Sequence, residues 1–183
     1  TIMKKLDIEI RYYYRIVTQG IKNLWRWFPI IWNDRDWDHT FIFRTLRFKL
    51  QNTADRLEQD AFFTGYEHEV ARIRLCIKLI DLVQEQHYDM EWLDFEETEF
   101  EFVPTGNFDE NGDNYYEIKS TLISDNLDDY FKKYPLTYKK ILKTMGEDSS
   151  RTRIAIYMGH ERHAKAKRLL FNVLNKHIEN WWN

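Results

Sequence analysis

Apolar residues recur at helical spacing through the first 87 residues, and this periodicity restricts the chain to a mainly helical fold. The first series has intervals of three and four residues and comprises Leu6, Ile10, Tyr13, Val17, Ile21, Leu24 and Phe28. This spacing places all its members on one face of an α-helix. We predict a helix that buries this face in the core, is stopped by Pro29, and closely approaches a neighbour at Gly20.

Two further helices are predicted in the same part of the chain. The second begins within residues 34–38, where aspartates can accept hydrogen bonds from free backbone N–H groups, and continues to about Leu57. The third follows Gly65 and ends near Gln86. Its broad apolar face includes the lone cysteine, Cys76, so we expect a central helix with a buried, unreactive thiol.

The apolar period changes to two in the middle of the chain. Phe100 and Phe102 alternate with glutamates, and a polar stretch at residues 107–114 follows them. Alternation on both sides of a polar stretch is typical of two strands joined by a turn. We therefore predict an antiparallel β-hairpin that pairs residues 97–103 with residues 114–121.

The last third of the chain returns to helical spacing. One helical region starts near Asp125, and a final helix is expected from about Arg151 to Trp181, with Gly159 as a candidate break. The chain of 183 residues therefore predicts a mainly α, bundle-like single domain of about five helices with one inserted acidic hairpin. The predicted segments are three helices in 1–87, the hairpin insertion in 88–124 and two basic helices in 125–183.

Charge is distributed very unevenly, although the net charge is only −3. Residues 1–87 carry +2, residues 88–131 carry −13 and residues 132–183 carry +8. The acidic middle and the basic end can attract each other within one fold or between two copies, so we expect a homo-oligomer. The acidic segment would repel a polyanion, which makes long nucleic acid an unfavoured partner.

Clusters that mix basic and aromatic residues are the strongest candidates for a binding site. Guanidinium groups bind phosphates and aromatic rings stack on bases, so these clusters predict a site for a small phosphorylated nucleotide-type ligand. The candidate ligand-binding residues are Arg11, Arg15, Trp25, Arg26, Arg151, Arg153, His160, Arg162 and His163. The alternative interpretation is that the arginines simply cover an aromatic core with their aliphatic stems.

Motifs for metal or cofactor chemistry are weak. Asp34, Asp36 and Asp38 have the composition of a site for Mg²⁺ or Ca²⁺, but helix capping explains the same residues. His160 and His163 share a helix face without an obvious third ligand. No P-loop, dinucleotide fingerprint or nucleophile elbow is present, so we predict no cofactor and no bound metal.

The cellular location is predicted to be the cytoplasm. A single cysteine excludes an internal disulfide, and Met3-Lys4-Lys5 is followed by alternating charged residues instead of an apolar signal core. The uncharged run at residues 27–32 is far shorter than the roughly 20 residues of a membrane span.

Two tryptophan-rich stretches carry a family resemblance. Trp27-Phe28-Pro29-Ile30-Ile31-Trp32 precedes Asp34-Arg35-Asp36-Trp37-Asp38, and a basic helix ends in Trp181-Trp182. These stretches resemble an uncharacterised family of small accessory proteins of tailed bacteriophages. The resemblance implies a protein that acts in the bacterial host cytoplasm and counters host defence, either by sequestering nucleotide signals or by blocking a host protein.

Three functions follow as hypotheses. The first is a non-enzymatic protein that captures a phosphorylated nucleotide-type ligand through the basic and aromatic residues. The alternative is an inhibitor of a host protein whose acidic hairpin, residues 95–117, mimics nucleic acid or docks on a basic surface. A metal-dependent enzyme built on the three aspartates and His160 is the third hypothesis.

Overall fold

The computed structural model describes residues 2–32, 34–35, 37–60, 64–108, 110–146 and 148–182. In these ranges it contains seven α-helices and one antiparallel hairpin. The elements are α1 (Ile2–Ile31), α2 (Thr40–Asp60), α3 (Tyr66–Gln84), α4 (His87–Met90), β1 (Glu96–Phe108), β2 (Asn114–Asp125), α5 (Leu127–Lys133), α6 (Pro135–Met145) and α7 (Arg151–His177). Short 3₁₀ segments at Glu91–Asp94 and Ile178–Trp182 complete the chain order.

The mainly helical class and the inserted hairpin are confirmed, whereas the expected number of about five helices is too low. One additional helix is α4, a single turn after α3. The other arises because the region predicted as one helix after Asp125 is divided into α5 and α6. Tyr134, at the division, precedes Pro135 and has φ −130° and ψ 58°, as expected for a residue held out of the helical region by the following proline.

Helix α1 differs from its prediction in three respects. It continues through Pro29 to Ile31, because a proline this close to the end removes little of the hydrogen-bond ladder. Gly20 has open space where a Cβ would be, so it marks no close contact. The apolar face predicted to be buried is exposed from Ile10 to Phe28, and the side chain of Leu6 lies outside the described residues. None of the described helices combines the length and apolarity needed to cross a bilayer.

The first hydrophobic cluster lies between α2, α3 and the C-terminal half of α7. Leu50, Ile73, Ile80 and Leu170 are among its buried members, so α3 is the central helix that its broad apolar face predicts. Cys76 is fully buried here as predicted, and burial raises the pKa of its thiol to about 11. The thiolate form that reactive cysteines need is therefore disfavoured.

The second hydrophobic cluster lies between α5, α6 and the N-terminal half of α7. Leu127, Tyr130 and Met158 are completely buried in it. Helix α7 thus contributes to both clusters. It passes through Gly159 without the predicted break. That glycine lies directly against the backbone of α4, since an added Cβ would stand 2.8 Å from the carbonyl oxygen of Tyr88.

The hairpin has the predicted antiparallel pairing but longer strands. Its first and last residues, Glu96 and Asp125, are partners in the register, and both are attached to the first turn of α7. Arg151 lies 3.3 Å from Asp125, and the Thr152 hydroxyl donates a 2.7 Å hydrogen bond to Glu96. Part of the acidic segment is therefore neutralised by the basic C-terminal region within one copy.

Candidate functional site

The two faces of the hairpin differ sharply in chemistry. The register places Phe102 opposite Ile118 and Glu101 opposite Lys119, and successive side chains of a strand point to opposite faces. We define the apolar hairpin face as Phe100, Phe102, Tyr116, Ile118 and Leu122. The other face carries Glu99, Glu101 and Glu117 together with Lys119 and Val103, and is acidic overall.

The apolar hairpin face is open to solvent. Each of its five side chains is between 55% and 64% exposed. A two-stranded hairpin in water is marginally stable at best, because one sheet face with no cover buries little apolar surface. An exposed, contiguous group of this kind is typical of an interaction surface.

A groove extends this face towards the helical body. It has a volume of about 840 Å³, and its lining combines the apolar residues Trp92, Leu93, Phe100 and Leu122 with polar ones that include Asp94, Glu96 and Glu97. Thr152 at the start of α7 forms part of its wall. The apolar hairpin face therefore continues to the base of the hairpin.

Helix α1 carries a second exposed apolar surface. We define the α1 stripe as Ile10, Tyr13, Val17, Ile21, Leu24 and Phe28, whose side chains are between 45% and 68% exposed. The side of α1 that lies towards α2 is a different one: Gln19 and Arg26 border a groove with Asp55 and Asp60 of α2. Trp27 also contacts Phe48 of α2, with 4.9 Å between ring centres.

The predicted ligand-binding residues of α1 lie on the outside of the molecule. Arg11, Arg15, Trp25 and Arg26 are all exposed. Arg15 borders a shallow groove along α1, whereas Arg26 borders the groove between α1 and α2. These residues do not surround one common cavity.

The predicted residues at the start of α7 divide into two environments. Arg151 binds Asp128 at 2.9 Å as well as Asp125, and therefore holds the base of the hairpin. Arg153, Tyr157 and His160 form an exposed row instead. The Arg153 guanidinium lies 5.9 Å from the Tyr157 ring centre, and the Tyr157 and His160 rings are 6.0 Å apart.

Arg162 is enclosed by aromatic rings and a carboxylate. Its guanidinium lies 3.6 Å from the ring centre of Tyr134 and 5.2 Å from that of Tyr88. It forms an ion pair with Glu91, and the two side chains are only 11% and 5% exposed. A guanidinium that is stacked and paired in this way has little capacity left for a ligand.

Glu91 is the acceptor at the centre of this group. The Lys133 ammonium and the Tyr134 hydroxyl each donate to Glu91 Oε1 at 2.7 Å, while Arg162 binds Oε2. Burial alone would raise the pKa of Glu91, but these hydrogen bonds outweigh it and hold the pKa at about 2. The carboxylate is therefore charged at neutral pH.

His163 lies next to this group in a buried position. Its Nδ1 is 3.1 Å from Asp89 Oδ2 without the alignment of a hydrogen bond. Burial lowers the pKa of His163, and the raising effect of Asp89 does not compensate. The imidazole is therefore neutral at pH 7, and its position on α7 beside α4 is a packing position.

The three aspartates considered for metal binding do not show an assembled site. Asp38 accepts hydrogen bonds from the backbone N–H of Thr40 at 2.9 Å and from its hydroxyl at 2.8 Å. These bonds lower the pKa of Asp38, and the first of them caps α2. Asp34 and Asp38 both border a groove at the start of α2 that also contains Arg35, and Asp36 lies outside the described residues. Within the described ranges, no three His, Cys, Asp or Glu side chains are grouped as around a metal ion.

Comparison with known proteins adds no relative. No family model, curated protein or solved structure matches this chain. The resemblance to tailed-phage accessory proteins therefore stays a prediction that rests on the two tryptophan-rich stretches.

The most important feature missed by sequence reasoning is the exposure of two apolar faces. The alternation of Phe100 and Phe102 with glutamates predicts the apolar hairpin face, and the spacing of the α1 stripe predicts its helix face. Neither pattern contains information about what covers the face. Glu91 gave no signal, because its partner Arg162 is 71 residues away in the sequence.

Proposed function

We propose that this chain is a non-enzymatic protein-binding protein and that its hairpin docks on a partner protein. The observation that carries this proposal is the apolar hairpin face, whose five side chains share one side of the sheet and are all more than half exposed. Burial of apolar surface is the main favourable term in protein association. The acidic face behind it favours a partner with basic charge.

The resemblance to tailed-phage accessory proteins supports a biological role for this docking. We propose that the acidic face, with Glu99, Glu101 and Glu117, blocks a basic surface of a host protein. Like-charge repulsion disfavours nucleic acid as the partner, because residues 88–131 carry −13. This proposal corresponds to the hypothesis of an interaction inhibitor.

Photo-crosslinking tests whether the hairpin is a docking element. We expect Phe102→p-benzoylphenylalanine, expressed in bacteria and irradiated, to give discrete protein adducts, because the new ring stands where a partner would bury Phe102. The matched control is Leu136→p-benzoylphenylalanine, at an apolar position on α6 that is 85% exposed but lies outside the hairpin. Mass spectrometry of the adducts identifies the partner.

A second substitution in the same chain tests whether the adducts depend on the apolar hairpin face. Phe100→Thr is added to the variant that carries p-benzoylphenylalanine at position 102. It removes an apolar neighbour and introduces a residue that favours strands, so the amount of adduct should decrease strongly. Equal adduct patterns from positions 102 and 136 would contradict the proposal.

Capture of a phosphorylated nucleotide-type ligand is a second candidate function. One observation favours it: Arg153, Tyr157 and His160 stand in a row on the exposed side of α7. We expect that a ligand of this row, among cyclic dinucleotides and ADP-ribose, raises the melting temperature of the wild type by about 5 °C at a hundredfold excess over its Kd. Arg153→Ala should abolish the shift.

The control for the nucleotide experiment removes one positive charge elsewhere on the same helix. Lys176 is exposed in the last turn of α7, so Lys176→Ala should leave the shift unchanged. Equal losses in both variants, or no shift with any compound, would exclude this second function.

A further inference from the structure

We infer that the apolar hairpin face is covered by the α1 stripe of a second copy of this chain. The arrangement is reciprocal, so each copy gives its helix to the partner and receives the partner's helix in return. The inference rests on the proposed function, because it names a second copy as the protein that the apolar hairpin face binds and leaves the acidic face for the host protein. Four properties of the molecule lead to it.

The first property is that both apolar surfaces are without cover in the same chain. The α1 stripe is 45% to 68% exposed, and the apolar hairpin face is 55% to 64% exposed. In the described part of the chain, α1 and the hairpin do not pack against each other. An amphipathic helix and a hairpin with one apolar face are each stabilised when another apolar surface covers them. Each copy of the chain has one such helix and one such hairpin, so two copies can cover each other.

The second property is the amount of exposed surface. The chain exposes 14270 Å², whereas a compact monomer of 22.6 kDa exposes about 9,500 Å². Each copy of a dimer has this excess of about 4,800 Å², so the roughly 2,000–5,000 Å² that obligate dimers bury in total is available from the two copies together. Two helix–hairpin contacts per dimer provide a large apolar interface of this kind.

The third property is the match in length. The apolar hairpin face runs from Tyr116 to Leu122 of β2, about 20 Å, and the α1 stripe runs from Ile10 to Phe28, about 27 Å. The α1 stripe therefore extends along the full length of the apolar hairpin face. A second hairpin placed on the first would match equally well in length, so length alone does not decide the pairing.

The fourth property is net charge, which favours the pairing of α1 with a hairpin over the other two pairings. Residues 2–31 contain six basic and two acidic residues, for a net charge of +4. Residues 96–125 contain one basic and nine acidic residues, for a net charge of −8. The glutamates of the hairpin point away from the apolar hairpin face, so the preference comes from the net charges of the whole elements. Two α1 helices or two hairpins repel each other, whereas α1 and a hairpin attract each other.

The reciprocal pairing leaves the acidic hairpin face on the outside. Glu99, Glu101 and Glu117 point away from the apolar hairpin face, so a helix bound there does not cover them. A dimer therefore presents two acidic faces, and self-association is compatible with the binding of a basic host surface. The resulting contact between the two copies is isologous, as in most homodimers.

Two variants separate this arrangement from other dimers. Val17→Gln with Ile21→Gln interrupts the α1 stripe with residues that favour helices and leaves all charges in place. Phe100→Thr with Phe102→Thr interrupts the apolar hairpin face with residues that favour strands. Gln19→Ala with Asn23→Ala is the matched control on the polar side of α1.

The first measurement is the mass in solution by light scattering. We expect the wild type and the control to have twice the 22.6 kDa mass of one chain. Each of the two interface variants alone should be monomeric, with self-association weakened by more than about 100-fold, because two large apolar side chains are lost from each contact. Circular dichroism of each variant checks that the helices are retained.

The decisive measurement is the mixture of the two interface variants. The intact α1 of one variant can still bind the intact hairpin of the other, so an equimolar mixture should regain dimers through one remaining contact. A mixture that stays monomeric, a wild type that is monomeric, or a hairpin variant that stays dimeric would each overturn the inference. Binding of monomeric wild type to phosphatidylserine vesicles, lost with Val17→Gln and Ile21→Gln, would overturn it in favour of a lipid surface.

These outcomes are distinguishable from failure of the proposed function. Adducts from position 102 that contain a different protein, together with a monomeric wild type, would overturn the inference and leave the docking function in place. No protein adduct at all from position 102 would overturn both.

Discussion

Replacing Glu91→Gln is expected to lower the free energy of unfolding at pH 7 by about 3 kcal/mol. The substitution removes the negative charge that neutralises Arg162, and breaking one side of a buried ion pair leaves a charge without compensation. The pKa of Glu91, lowered from 4.5 to about 2, corresponds to a similar free energy. Urea denaturation followed by circular dichroism measures the loss.

The pH dependence provides an independent check on the same ion pair. Because the pKa of Glu91 is lower in the folded state, its contribution is complete above pH 4.5 and is lost as the pH falls towards 2. The wild type should therefore approach the stability of Glu91→Gln in acid. A difference between the two proteins that stays constant from pH 7 to pH 3 would refute the role given to this carboxylate.

The ion pairs of Glu161, which precedes Arg162 on α7, supply the control for Glu91. Glu161 accepts from Lys140 at 2.6 Å and from Arg168 at 3.2 Å, and both basic partners are largely exposed. Solvent screens such pairs, so Glu161→Gln should cost less than about 1 kcal/mol. Equal losses in the two variants would mean that burial does not strengthen the pair of Glu91 and Arg162.

The second large effect is expected at the contact between α4 and α7. Gly159→Ala places a Cβ 2.8 Å from the carbonyl oxygen of Tyr88 and 3.2 Å from the Cα of Asp89. These are backbone atoms, so they can give way only if α4 shifts as a unit. Overpacking of this kind costs about 1–3 kcal/mol, and we expect a loss of about 2 kcal/mol in thermal or urea unfolding.

Gly20→Ala is the matched control for this substitution. Gly20 is also inside a helix, but it has no neighbouring atoms within 4 Å of the added Cβ. Alanine favours helices over glycine by about 1 kcal/mol, so this variant should be neutral or more stable. The two variants should therefore differ by about 3 kcal/mol, and equal stabilities would show that α4 does not press on α7.

Local patterns in the sequence predicted the elements well. The alternation around Phe100 and Phe102 indicated the hairpin, and the broad apolar face after Gly65 indicated the central helix. These patterns involve residues only a few positions apart in the sequence, so they do not depend on how the rest of the chain folds. Sequence reasoning is therefore reliable where the structure is determined locally.

Long-range pairing was outside the reach of the same reasoning. The spacing of the α1 stripe indicates that one face is apolar, but whether that face meets the core depends on where α2 lies. The ion pair of Glu91 with Arg162 could not be predicted either, since the sequence contains many glutamates and arginines and does not indicate which of them pair. Arg162 was predicted as a ligand-binding residue from its basic neighbours, and the three-dimensional fold gives its guanidinium an internal partner instead.

The attachment of the hairpin has a consequence for how this protein can change over evolution. Glu96 and Asp125 are partners in the register, so the chain leaves the helical body and returns to it at adjacent points, about 5 Å apart. The hairpin therefore connects the helices on either side of it across the same short distance as a short loop would. Mutations, insertions and deletions near the tip can therefore be tolerated, and the hairpin can vary in sequence and length while the helical scaffold remains the same.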